Sequence, residues 1–518
     1  MKLLRSPWIR LALFGLICFL LIFALQISWS RSYRDASGIP RSFAPFGDEL
    51  RRADGSVDFR ATLNKALGTP LPKEQNAAAV YAVLAARREL NDPNLRGLVL
   101  RELGISESEF ALGGAFLQAW ETAEKFEQNA YQTIWTNGEE YPAMAAWLDQ
   151  YPAELAELRK ASHLQWYSPL VNSNPDNPII TDLLPLVQSQ RIASRMLLTS
   201  GFREAARGNL DAAIADIAAV NRSSQHQQGP FLIQALVAAA TRTMGGQATT
   251  SLLQQFELDD KQLETLEDSL QTSGGELGSY AEIARGERYM LLDVLQTIDR
   301  GRSSSELLSQ LSGSGNGSGA LLSFGFGMFV DRGAVLQYLN LWYDSLADSL
   351  DVAELQGKTL SAKLDNFEQL QAWPGIGEPT LLGTVKGLPG FLLSPTVRGR
   401  RIGEVFIALL GPALRQFSNA TIRVSQQRRL LLLAIAVERY RCRHGDYPEA
   451  LPQLVPDFLP ELPIDQFAES GTFGYTRSAD GFSVFANPTR PKSLPNWGDI
   501  KFEIVIDRRE KQAEQPDR

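Results

Sequence analysis

LLLLAIAVERYRCRHGDYPEALPQLVPDFLPELPIDQF, Leu430 to Phe467, is the stretch whose reading decides the fold. Eight apolar residues in a row, Leu430 to Val437, leave no polar face, so a helix here must be covered on all sides. Charge returns at Glu438, Arg439, Arg441 and Arg443, while Tyr440 continues the apolar face of Val437. Gly445 supplies a helix stop and Pro448 prevents resumption. Prolines 452, 456, 460 and 463 then make a compact connector instead of another helix.

Three strand signals follow. GTFGYTR and GFSVFAN flank the turn Ser478-Ala479-Asp480-Gly481. IKFEIVID alternates, with Ile500, Phe502, Ile504 and Ile506 on one face and Lys501, Glu503 and Asp507 on the other. Residues 411–507 are thus expected to form a small α+β module, one long helix on a three-stranded antiparallel sheet. Eight apolar residues exceed what such a sheet covers, so a helical body should cover the other flank. Residues 508–518 read as a charged, disordered tail.

Upstream the chain reads as mainly α. NAAAVYAVLAARREL is rich in strong helix formers, and the segments after it carry apolar residues at three- and four-residue steps. Pro142 and Pro152 sit early in their runs, where a missing N–H is tolerated. Gly201 to Ser224 predicts a helix, a turn at Gly208-Asn209 and a second helix from near Asp211, like one tetratricopeptide-type hairpin. No second copy follows at that period, so an irregular helical-hairpin array is expected over 73–410. Residues 31–72 read as a tether. The Gly/Ser-rich loop 311–327 lacks the Gly-Lys-Ser/Thr of a phosphate loop and reads as a flexible linker. IGEVFIALLGPAL, with Glu404 inside, is too short to span a bilayer and predicts a buried helix.

The run LALFGLICFLLIFALQISWS, residues 11–30, is uncharged and long enough to cross a membrane, and Lys2, Arg5 and Arg10 precede it. It predicts a single-pass signal anchor over 1–30, with the N-terminus cytoplasmic and the body extracytoplasmic. A cleaved signal peptide is the competing reading, against which the poor small-x-small pattern counts. A net charge of −8 argues against nucleic acid as a partner. Two cysteines, Cys18 and Cys442, make no disulfide framework. Asn221, Asn316 and Asn419 each begin a glycosylation sequon.

Catalytic signatures are missing from the sequence. The three histidines, His163, His226 and His444, lack a second ligand at metal spacing. His444 suits a helix end, and His163, near Trp166 and Tyr167, suits a groove or a packed rim. Glu287 and Arg288 make a candidate buried ion pair that bridges helices. No catalytic residue, metal or cofactor is expected.

Glu438-Arg-Tyr-Arg, His444-Gly-Asp-Tyr-Pro, the run Leu451-Pro-Gln-Leu-Val-Pro and Leu462-Pro-Ile-Asp-Gln-Phe together resemble the C-terminal domain of the major pseudopilin of type II secretion. The resemblance covers about the last hundred residues and marks Tyr440, Gly445, Tyr447, Pro448 and Asp465 as motif positions. NAAAVYAVL, GNLDAAIADIAAV, GPFLIQALV and GERYMLLDVL resemble uncharacterised bacterial envelope proteins that carry the same module; that family implies no activity. The pseudopilin processing site is missing at the N-terminal anchor. Such domains bind calcium through acidic residues of the final loop, but here NPTRPKSLPNWGD carries only Asp499, and Gln466 follows Asp465 where proline is usual. Calcium wants several carboxylates.

These readings predict a membrane-anchored helical scaffold for protein partners in the envelope, with a link to secretion. The alternatives are an envelope hydrolase using acidic residues in a helical cleft, and a minor pseudopilus-associated subunit. Two or more close carboxylates in a pocket would favour the hydrolase.

Overall fold

The computed structural model describes residues 46–85, 90–171, 179, 186–226, 229–274, 280–299, 331–355, 394–465, 468, 470–486 and 502–508. Over these the chain is mainly helical with one three-stranded antiparallel sheet. The helices are α1 (Phe59–Ala66), α2 (Ala77–Ala85), α3 (Pro93–Glu102), α4 (Glu107–Glu124), α5 (Pro142–Gln150), α6 (Pro152–Ala161), α7 (Val187–Ala206), α8 (Leu210–Ser223), α9 (Leu232–Gln255), α10 (Asp260–Thr272), α11 (Tyr280–Asp299), α12 (Arg332–Leu355) and α13 (Pro395–His444). The strands are β1 (Gly474–Arg477), β2 (Gly481–Phe485) and β3 (Glu503–Asp507), in the order β1-β2-β3. No helix among the described residues is long and apolar enough to cross a membrane. The expected anchor at 11–30 and the Gly/Ser loop 311–327 lie outside the described residues.

Local chemistry sets the helix ends. Ser106 and Glu109 close a capping box at the start of α4, and Asp259 with Gln262 closes another at α10. Pro142 and Pro152 occupy the first positions of α5 and α6. Gly445 ends α13 at φ +79°, donating its N–H to the Arg441 carbonyl at 2.8 Å. The α7–α8 hairpin turns at Gly208, φ +80°. Its close contact falls at Gly201, where a Cβ would sit 3.2 Å from Asp216 Cβ.

Residues Leu430 to Val437 are all buried, the most open being Leu432 at 8%. They belong to one apolar core that includes Leu197 and Phe202 of α7, Ile217 of α8, Leu266 of α10, and Phe482, Val484, Ile504 and Ile506 of the sheet. One helix therefore serves body and head together. Burying the six large side chains of this run, the four leucines with Ile435 and Val437, stabilises the joint by on the order of 10 kcal/mol, gross. A second core joins Val57, Phe59 and Leu63 to the first turns of α9, to α11 and α12, and to Ile407, Phe417 and Val424 of α13. Both α9 and α13 run from one core into the other, as expected of neighbours in contact along their length.

Three boundaries differ from expectation. The division at 410/411 falls inside α13, which runs unbroken for 50 residues, about 75 Å, despite the roughly 3 kcal/mol cost of a proline within a helix. From residue 46 the tether is already body. Gln296 brackets Val57, with Oε1 accepting its N–H at 3.0 Å and Nε2 donating to its carbonyl at 2.9 Å. Arg508 belongs to the head and not to a loose tail; residues 509–518 lie outside the described residues.

Candidate functional site

An open cleft of about 1120 Å³ lies at the junction of body and head. Its floor is α9, where the small side chains Ala239, Ala240 and Thr243 leave space beside Gln247. Leu198 and Phe202 of α7 form one wall, Arg423, Gln427 and Leu430 of α13 another, and Phe502, Glu503 and Ile504 close one end. Tyr131 stands at the rim, with the Arg195 guanidinium 4.7 Å from its ring centroid and Glu124 accepting from Arg195 at 2.9 Å.

Glu503 is the single carboxylate among the described lining residues, and it accepts from Ser483 Oγ at 2.8 Å. The hydroxyls of Thr243 and Thr250 are turned back onto the Ala239 and Gly246 carbonyls of their own helix. No histidine, lysine or cysteine is among the described lining residues.

Among the described residues, the end of the cleft is a sheet edge. Ala486 N–H donates to the Phe502 carbonyl at 2.8 Å, which turns Phe502, Ile504 and Ile506 toward β2. Alternation then puts the main-chain groups of Glu503 and Val505 on the outer edge. Gln254 Nε2, donating to the Val505 carbonyl at 3.3 Å, marks that edge. Glu503 thus brings an edge-strand N–H and C=O to the mouth of the cleft.

The motif residues gather behind this edge as a brace. Glu438, 1% exposed, accepts from Arg508 Nη2 at 2.8 Å, from Arg441 Nε at 3.0 Å and from the Tyr447 hydroxyl at 3.4 Å. Burial beside Glu438 pushes the Tyr447 phenol up to about 12. The Pro448 carbonyl accepts from the Tyr475 hydroxyl at 2.8 Å. Tyr440 packs its ring on His444 at 4.3 Å and Phe458 at 5.6 Å. Asp465 is buried and accepts from Gln426 Nε2 at 2.6 Å, which ties the connector to α13. Arg439 reaches the other way, to Asp260 at 2.8 Å and to Glu267, locking α13 onto α10. No group of side chains among the described residues is placed to hold a metal ion.

The remaining candidates are scattered. Asp211, exposed in the first turn of α8, accepts from Gln262 Nε2 at 2.7 Å. His163 is exposed; burial, then Arg222, lowers its pKa. The histidine against Trp166 is His226, stacked at 5.9 Å and 13° and held by Tyr81 and the Leu164 carbonyl. Burial brings His226 down to about 4. Glu287 and Arg288 are both buried but face apart, correcting the expected pair. Glu287 accepts the Leu232 N–H at 2.8 Å, at the positive end of α9, and burial raises it to about 7. Arg288 bonds Asp344 at 2.6 Å and Asn340 at 2.8 Å. Consecutive helical residues point about 100° apart, so such neighbours rarely pair. Asn221, the first sequon, is 1% exposed and bonded to Ser269, which closes it to glycosylation in the folded chain.

The cleft itself has no motif. Its signal in the sequence is the pair Ala239-Ala240 in α9; Gly245-Gly246 further along that helix serve close packing, since a Cβ there would come within 2.2 Å of Asn221 Oδ1 and 3.1 Å of Gln427 Nε2. Comparison with family models, with curated proteins and with solved structures finds no match to this chain.

Proposed function

We propose that this protein is a non-catalytic docking scaffold, held to the envelope membrane by residues 11–30, with its body and pseudopilin-like head outside the cytoplasm. The site of docking is the cleft, and the occupant is an extended segment of a partner protein lying along the outer edge of β3. One observation carries this reading: the cleft ends on an edge strand whose Glu503 main chain faces outward, the arrangement that adds a peptide strand through backbone hydrogen bonds. The presence of a single carboxylate among the described lining residues weighs against a two-carboxylate hydrolase. The resemblance of the head favours a secretion-related partner.

Photocrosslinking in intact membranes tests it. A benzophenone side chain at Gln247 should capture a discrete partner, while the same group at exposed Leu112, on α4, should not. Ala240→Trp, which fills the cleft from α9, should abolish the adduct without lowering the melting temperature. Equal capture at both positions, or capture that survives the filled cleft, would contradict docking there.

A further inference from the structure

A second, much smaller cavity of about 10 Å³ lies across the α9–α13 contact, and Gln427 lines both. Its chemistry differs from that of the cleft. Two arginines line it, Arg242 of α9 and Arg428 of α13. Arg242 is 6% exposed; its Nε donates to Ser224 Oγ at 3.3 Å and its Nη2 to the Ser273 carbonyl. Arg428 Nε donates to the Leu270 carbonyl at 2.7 Å. Both therefore meet the C-terminal end of α10, whose dipole offsets part of their charge.

That account is incomplete. Among the described residues neither guanidinium bonds a carboxylate, and Arg242 Nη1 is buried without a hydrogen-bond partner. The carboxylate of Asp268 is exposed on α10 and interacts with Arg222, whose Nε lies 3.4 Å from Ser162 Oγ. Burial and the neighbouring Arg428 lower the Arg242 pKa to about 10, which leaves it protonated at neutral pH. Two like charges at one joint, Arg242 buried with an unmet donor and Arg428 half-buried beside it, call for a negative partner. The cavity has room for about one water-sized particle, too little for a carboxylate or a phosphate. A water would meet the donor and leave both charges.

We propose that this cavity is a chloride site, in which one halide ion accepts from Arg242 Nη1 and lies against the Arg428 guanidinium, closing α8, α9 and α10 onto the long helix. The proposal rests on no property of the cleft. It makes the union of body and head depend on a small anion.

The test uses the full chain in detergent. Melting temperature is followed as sodium chloride replaces sodium gluconate at constant ionic strength, so that general screening is held fixed. A saturable rise of several degrees is expected, because a ligand of the native state stabilises by mass action. Arg428→Gln should flatten that dependence. Crystals grown in bromide should show an anomalous peak between the two guanidiniums, a reading on the wild-type chain that stands even if the variant does not fold. Identical melting in the two salts, with no bromide peak, would mean water alone and overturn the proposal.

Discussion

Arg508 reaches back across 70 residues of sequence to place its Nη2 2.8 Å from Glu438 Oε1, and its Nη1 2.9 Å from the Phe256 carbonyl at the end of α9. The last described residue of the head is thereby bolted both to the long helix and to the body. Glu438, with its side chain 2% exposed, is the common acceptor.

Removing that acceptor leaves Arg508 and Arg441 short of their shared carboxylate. Glu438→Gln should cost about 3 kcal/mol, the scale for breaking a buried pair from one side. Urea unfolding followed by circular dichroism measures it. A loss below about 1 kcal/mol would show that the cluster behaves like a solvated surface pair.

Glycine 245 gives a steric test. Alanine there gains about 1 kcal/mol of helix propensity, but its Cβ would fall 2.2 Å from Asn221 Oδ1. Overpacking of this kind costs about 1–3 kcal/mol. Gly245→Ala should therefore lower the melting temperature, whereas Gly97→Ala, with nothing within 4 Å of its Cβ, should raise it or leave it unchanged.

Glu287 sets a pH dependence. Its folded pKa, raised by burial from 4.5 to about 7, lies above the unfolded value. The native state thus holds an extra proton between those values, and stability falls as pH rises from about 4.5 to about 7, then levels off. His226 acts in the opposite sense: lowered to about 4 from 6.5, it withdraws stability as pH falls through that window. The two slopes partly cancel in the wild type. Glu287→Gln keeps an acceptor for the Leu232 N–H and removes one slope, so its advantage over wild type should grow from near zero at pH 4.5 to about 3 kcal/mol at pH 8. An advantage independent of pH would contradict the raised pKa.

Much of the head was legible in the sequence because its signals are local. Eight apolar residues in a row have one physical reading, and the alternation of Phe502, Ile504 and Ile506 fixed which face of β3 is buried. Gly445 and Pro448 ended the helix where they should. The brace was not legible, since Glu438 and Arg439 look like solvated charges until Arg508, Asp260 and Glu267 are brought to them from far along the chain. The cleft was hidden for a different reason. It is made by what Ala239 and Ala240 do not fill, and small residues in a helix read as propensity, not as space. The tether misled because its Pro and Gly content outweighed Val57, Phe59 and Leu63, three apolar residues without a long period to announce them.

The central claim is that α13 serves both cores, so that body and head are one cooperative unit. Hydrogen exchange under increasing denaturant, read by mass spectrometry on the full chain, tests this most directly. The shared core predicts that β2, α8 and Leu430 to Val437 open together with a single free energy, and that Leu433→Asp lowers all three equally. Opening of β2 and residues 430–437 at a distinctly lower free energy than α8, with α8 unmoved by Leu433→Asp, would contradict it.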